Sequence, residues 1–233
     1  MNTASTESGA SAAGRRAPGR PRIPLERILT TALTILDEDG ADALSLRMLA
    51  QRLGSSTATL YRHFENRADL VAQVVDRIIG EIEVDDEEPG ATHWQPAVRA
   101  AAVSMFKVLS RHRNVAVLLT EQIPTGPNAA VYRERVLALL LAHGFPQSLA
   151  PRAYASLARY VLGFAMQLTA DRAAKSRDEA RTSAALHRID ATRFPATRAL
   201  ADFLPMPIEE EFAFGLDLLL AGLAQMRDQH AET

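Results

Sequence analysis

Residues 45–64 read Ser-Leu-Arg-Met-Leu-Ala-Gln-Arg-Leu-Gly-Ser-Ser-Thr-Ala-Thr-Leu-Tyr-Arg-His-Phe, a stretch whose polar side chains can hydrogen-bond to base edges and phosphates. Two short helical patterns meet in it at Gly54. The first puts Leu46, Leu49, Ala50 and Leu53 on one face; the second keeps Leu60 and Phe64 for the same core, while Thr57, Thr59, Tyr61, Arg62 and His63 supply polar groups. That is the layout of a helix-turn-helix, whose second helix enters the DNA major groove. Bond-making chemistry finds little support. There is no phosphate-cradling glycine loop, HExxH or nucleophile elbow, and His63, His93, His112, His143, His187 and His230 are too dispersed for a metal cluster. The absence of cysteine removes disulfides, thiolate nucleophiles and cysteine-based zinc sites, and fits a reducing cytosol. No cofactor and no enzyme activity are expected.

The elements that must position these residues are helical. With 233 residues and 47% hydrophobic content the chain can form a small domain followed by a larger one. Formal net charge is −2, so any DNA contact must come from local positive charge. Residues 1–23 carry almost no large apolar side chain and read as a flexible arm, in which Arg15, Arg16, Arg20 and Arg22 surround a Gly-Arg-Pro core. Such an arm can be a solubilising linker or lie in a minor groove beside the reader. From Pro24, apolar residues recur at helical steps until Gly40; Ser45 and Asn66 are placed to cap later helices, the last of them from Arg67 to about Ile82. The acidic run Asp85–Glu88 closed by Pro89-Gly90 reads as a linker, giving a first domain over 24–84 and a second over 91–233.

No strand-like alternation is long enough to trust, so the fold class is all-α. Further helices are expected near 94–110, 114–122, 128–143, 147–170 and 208–228. Residues 171–206 are expected as a mobile excursion with a possible helix from Arg177 to Ile189. The last long helices have more apolar perimeter than one internal face requires. Leu157, Val161 and Leu168 on one, with Phe214, Leu218 and Gly222 on the other, suit a four-helix seam between two copies, or else a thick monomeric core. The apolar runs are too short to span a membrane, and no apolar stretch reads as a secretory signal.

Over residues 25–80 the chain resembles the TetR family of one-component transcriptional repressors. The resemblance is carried by the Ile28–Gly40 pattern, Ala43-Leu44-Ser45, Arg47-Met48-Leu49-Ala50, Leu53-Gly54, and Thr59-Leu60-Tyr61-Arg62-His63-Phe64 with Asn66-Arg67 and Leu70 after it. Phe212-Ala213-Phe214-Gly215-Leu216-Asp217 looks like the last helix of the branch that includes the tetracycline repressor. The resemblance implies a three-helix DNA-binding domain joined by a linking helix to a larger helical ligand-binding and dimerisation domain. It implies that Arg47, Thr57 and Thr59 reach base edges, that Ser45, Tyr61, His63 and Arg67 hold phosphates, and that Ser56, Arg62, Arg20 and Arg22 share the interface. Arg62 has no single assignable partner. For a ligand pocket it implies Met105, Phe106, Leu109, Leu119, Gln122, Tyr132, Val136, Tyr160, Phe164 and Gln167, residues that any helical core would also contain. Two positions that in the tetracycline repressor hold a magnesium-tetracycline complex fall on Leu119 and Gln167. Leucine cannot ligate a metal and a neutral amide replaces carboxylate poorly, so another small-molecule inducer is expected. The expected protein is a cytoplasmic homodimeric repressor on a palindromic operator; the alternative is a regulator with no small-molecule ligand, controlled by a protein partner.

Overall fold

The computed structural model describes residues 23–84, 93–121, 123–168 and 172–231, and every regular element among them is helical. The linker expected at residues 85–90 lies outside the described residues. Helix α1 (Leu25–Asp39) buries Ile28, Leu29, Ala32, Leu33, Ile35 and Leu36. It stops where Gly40 takes φ 86°, a left-handed conformation that only glycine enters freely, and returns its N–H to the Leu36 carbonyl at 3.1 Å. Helix α2 (Leu46–Arg52) starts at Ser45, whose Oγ accepts from the Met48 N–H at 3.2 Å. Gly54, at φ 60°, turns the chain into the short α3 (Thr57–Leu60). Helix α4 (Arg67–Ile79) starts at Asn66, whose Oδ1 accepts from the Asp69 N–H at 3.0 Å.

The remaining helices are α5 (Trp94–Arg111), α6 (Arg113–Glu121), α7 (Pro127–Ala142), α8 (Ala150–Met166), α9 (Arg172–His187), α10 (Pro195–Ala199) and α11 (Ile208–Ala231). Helices α5, α7, α8 and α11 enclose a second core. In it Trp94 stands edge-on to Phe145 with ring centroids 4.8 Å apart. The excursion expected at 171–206 contains α9, longer at its start than the sequence suggested, and the unexpected α10. These pack on each other and on a 3-10 turn at Ala201–Phe203, where His187 Nε2 meets Asp202 Oδ1 at 2.8 Å. Phe203 is 69% exposed there.

The first apolar cluster extends beyond α1–α4. Val108 of α5, Val115 and Leu118 of α6 and Ala129 of α7 belong to the same apolar cluster as α1–α4. Polar contacts reinforce the joint: Asn114 Nδ2 donates to the Leu36 carbonyl at 2.6 Å, and His112 lies 3.3 Å from Asp37 and 3.5 Å from Glu81. Helix α4 ends at Ile79, three residues short of the expected Ile82. A Cβ on Gly80 would come within 2.9 Å of the Asn128 amide, so this residue lets α7 approach α4.

Candidate nucleic-acid interface and internal cavity

The core sets which polar groups face outward on the reader. Leu60 and Phe64 are fully enclosed against Leu70 and Val74, which fixes α3 and the turn after it. Arg47, Ser56, Thr57, Tyr61 and Arg62 are exposed as a result, Tyr61 by 60%, while Thr59 and His63 are partly covered. Ser56 Oγ and Thr59 Oγ1 lie 3.1 Å apart, so these hydroxyls are paired with each other. The turn after α3 is tied to α4 by Gln73, whose Nε2 donates to the His63 carbonyl at 3.4 Å and to Asp69 at 3.0 Å.

Two expected phosphate contacts have work inside the fold. Ser45 caps α2. Arg67 donates from Nε to the Leu44 carbonyl at 2.8 Å and from Nη2 to the Ala41 carbonyl at 3.0 Å, bracing the α1–α2 connection against α4. Arg20 and Arg22 lie outside the described residues. Sequence reasoning left out Arg52, which pairs with Glu38 at 2.7 Å and Asp39 at 2.9 Å and so ties α2 to α1.

The second candidate site is a cavity among α5, α7 and α8. Its walls are Val98, Ala101, Ala102 and Met105 from α5, Tyr132 and Val136 from α7, and Tyr154, Leu157, Ala158 and Val161 from α8. Its void is about 10 Å³, room for roughly one water. No charged side chain lines it, and the Tyr132 hydroxyl donates to the Met105 thioether, a weak acceptor, at 3.8 Å. Burial pushes the Tyr132 phenol well above its usual range, with Tyr154 adding to the shift, so it stays a neutral donor.

The expected ligand residues divide accordingly. Met105, Tyr132 and Val136 line the cavity. Phe106, Tyr160 and Phe164 instead form an aromatic cluster on Phe212, with the Phe106 and Phe212 rings stacked 4.2 Å apart. Leu109 is buried in the second core, and Leu119 sits partly buried between the two cores. Gln167 is exposed, its amide 3.4 Å from the Gly163 carbonyl, and Gln122 lies outside the described residues. Val98, Ala101, Ala102, Tyr154 and Ala158 were missed. The spacing of 98, 101, 102 and 105 along one face of α5 was the available signal.

The residues expected at a dimer seam also divide. Leu157 and Val161 are buried inside the protomer as cavity walls, so neither can face a second copy. Leu168 is partly buried and packs on the second core. Phe214 and Leu218 do face outward, 65% and 59% exposed, and a Cβ on Gly222 would meet nothing within 4 Å. Gly215 serves the protomer instead. A side chain there would strike the Tyr160 hydroxyl, which donates to the Phe212 carbonyl at 2.7 Å.

Among the described residues no group of three or more His, Asp or Glu could hold a metal ion, and no helix is long and apolar enough to cross a membrane. Residues 28–74 match the family described as bacterial regulatory proteins, tetR family, and residues 87–227 match the tetracyclin repressor-like C-terminal domain. An HTH-type transcriptional regulator from Saccharopolyspora erythraea is 30% identical over 208 residues, covering 88% of this chain and 86% of its own. The crystal structure of apo ActR from Streptomyces coelicolor aligns with a TM-score of 0.81 at 31% identity, over 91% of this chain and all of that one. The structure of ActR in complex with actinorhodin gives 0.79 at 33% identity, over 87% and 95% of the two chains. With the reader in α1–α4 and the second match spanning more than half of its length, this chain belongs to the TetR family and is a DNA-binding transcriptional regulator.

Proposed function

We propose that the protein is a cytoplasmic repressor that grips a palindromic operator as a homodimer and releases it when a small molecule enters the α5–α7–α8 cavity. The observation that carries this reading is the pairing of an exposed polar reader face with an apolar cavity in the body packed against α4. In the dimer, Phe214, Leu218 and Gly222 of α11 meet their copies across a two-fold axis. The two α3 helices then enter successive major grooves about 34 Å apart, with Arg47 and Thr57 at base edges and Tyr61 and His63 at phosphates.

The cavity lining favours an uncharged apolar ligand with an acceptor for the Tyr132 hydroxyl. The structure of ActR in complex with actinorhodin supports a small-molecule ligand for the body. Magnesium-tetracycline is disfavoured, since Leu119 offers no metal ligand and exposed Gln167 no carboxylate. Ligand sites usually occupy about 300–1,000 Å³, so occupancy requires α5, α7 and α8 to separate. A ligand that binds the separated form better than the closed one shifts the population away from the operator-binding spacing.

The test starts from duplexes that the full-length protein selects out of random DNA. Uncharged polycyclic aromatic compounds and, separately, actinorhodin are then added to the labelled complex. At least one is expected to raise the melting temperature of the free protein and to dissociate the duplex. Tight duplex binding that no such compound weakens, with no shift in melting temperature, contradicts the inducer reading.

A further inference from the structure

One charged side chain is buried among the described residues, and it lies in neither site. Asp76 is 8% exposed in the last turn of α4. A carboxylate out of water must be matched by donors, and the donors here come from another helix. Its Oδ2 accepts the Asn128 N–H at 3.2 Å and its Oδ1 the Ala129 N–H at 2.9 Å, both in the first turn of α7. The side chain at the N-cap position of α7 belongs to Gly126, which has none; Asp76 satisfies the orphan amides from across the joint and places negative charge at the positive end of the α7 dipole. The contact is reciprocal, since Asn128 Nδ2 donates to the Asp76 carbonyl at 3.1 Å. It is also close: any Cβ on Gly126 would collide with the Asp76 carboxylate.

Both ends of this clamp lead to a site. Tyr132, one turn beyond Ala129 on α7, is a cavity wall. On α4, Leu70 and Val74 share one apolar cluster with Leu60 and Phe64, and Gln73 holds the His63 carbonyl. We propose that Asp76 is the positioning residue that couples the cavity to the reader, by fixing the first turn of α7 to α4 so that separation of the cavity walls moves the recognition helix. The inference rests on the inducer reading, but the coupling can be measured without an inducer. Linkage is reciprocal, so operator binding must restrain the α7 end of the cavity as much as cavity opening disfavours operator.

The experiment follows amide exchange in peptides spanning 126–136 of the full-length protein, with and without a duplex selected by the wild type. In the wild type, duplex binding is expected to slow exchange there by at least about fivefold, the low end of ordinary coupling. Asp76→Asn keeps the size of the side chain but turns one acceptor into an NH₂ group. It should still bind duplex while the duplex-dependent slowing falls below about twofold. Asn128→Ala, which leaves the carboxylate in place, should lose part of the slowing and serves if the first variant fails to fold. A cap that is only structural would speed exchange equally in free and bound protein, leaving their ratio at the wild-type value. That result, or no slowing in the wild type, overturns the proposal. Failure of every compound to displace the wild type from duplex would overturn the inducer reading instead.

Discussion

The reader and the body solve opposite problems with the same secondary structure. Helices α1–α4 close tightly around Ile28, Ile35, Leu36, Leu60, Phe64 and Leu70, and their chemistry is carried by short polar groups outside that core. The body turns its chemistry inward. Its cavity walls are aliphatic residues and two tyrosines, and its outward faces include the exposed Phe214 and Leu218. A rigid platform suits a surface that must match a fixed groove spacing, whereas a body with a small void at the meeting of three helices can open. On the proposed reading, that difference lets one chain hold a fixed geometry for DNA and respond to a ligand.

The largest expected effect lies in the platform. Phe64→Ala removes a ring that is 1% exposed, and should destabilise by about 3–5 kcal/mol in denaturant unfolding. A loss below about 1 kcal/mol would show that the reader core relaxes as readily as the body and would break the contrast. At the cavity, Ala102→Leu adds three carbons beside a void of about 10 Å³ and should cost about 1–3 kcal/mol through overpacking. A stabilised variant would mean that the resting cavity is larger than one water.

The smallest effect belongs to the α9 excursion. Both His187 ring nitrogens face acceptors, the Ser183 carbonyl at 2.8 Å and the Asp202 carboxylate at 2.8 Å. These raise its pKa above the usual histidine value, the backbone carbonyl most, with Arg198 opposing. The protonated ring therefore supports the contact between α9 and the 3-10 turn fully below the unfolded value of about 6.5, and the support fades as pH rises past the higher folded value. Amide protection over 183–203, taken relative to the intrinsic exchange rate at each pH, should fall through that window in the wild type and show no such step in His187→Ala. The reader should show no matching change. An equal step in α1–α4 would mean that the excursion is not separate from it.

Much of the reader was legible because its signals are local. Ser45, Gly54 and Asn66 cap or turn the chain within three or four residues of themselves, and each sits where its type predicts. The early end of α4 and the role of Asp76 were not legible, since both depend on Asn128 and its neighbours, far along the chain. The dimer faces show a different limit. Apolar perimeter on α8 and α11 marks both helices as apolar beyond one face, but the packing that puts Leu157 inward and Leu218 outward is tertiary. The expectation against magnesium-tetracycline rests on Leu119 and Gln167 and needs no tertiary information, because a missing ligand atom is a matter of residue type alone.

On the proposed reading, the exposed face of α2 and α3 reads DNA while the core beneath only holds it. This claim is tested most directly by titrating the selected duplex with wild-type protein and with the Arg47→Ala, Thr57→Ala double variant at one salt concentration. Each good base contact discriminates by about 1–3 kcal/mol, so the variant should lose at least about tenfold in affinity for that duplex. Its binding to random DNA and its unfolding midpoint should stay at the wild-type values. An unchanged affinity for the selected duplex would contradict the account.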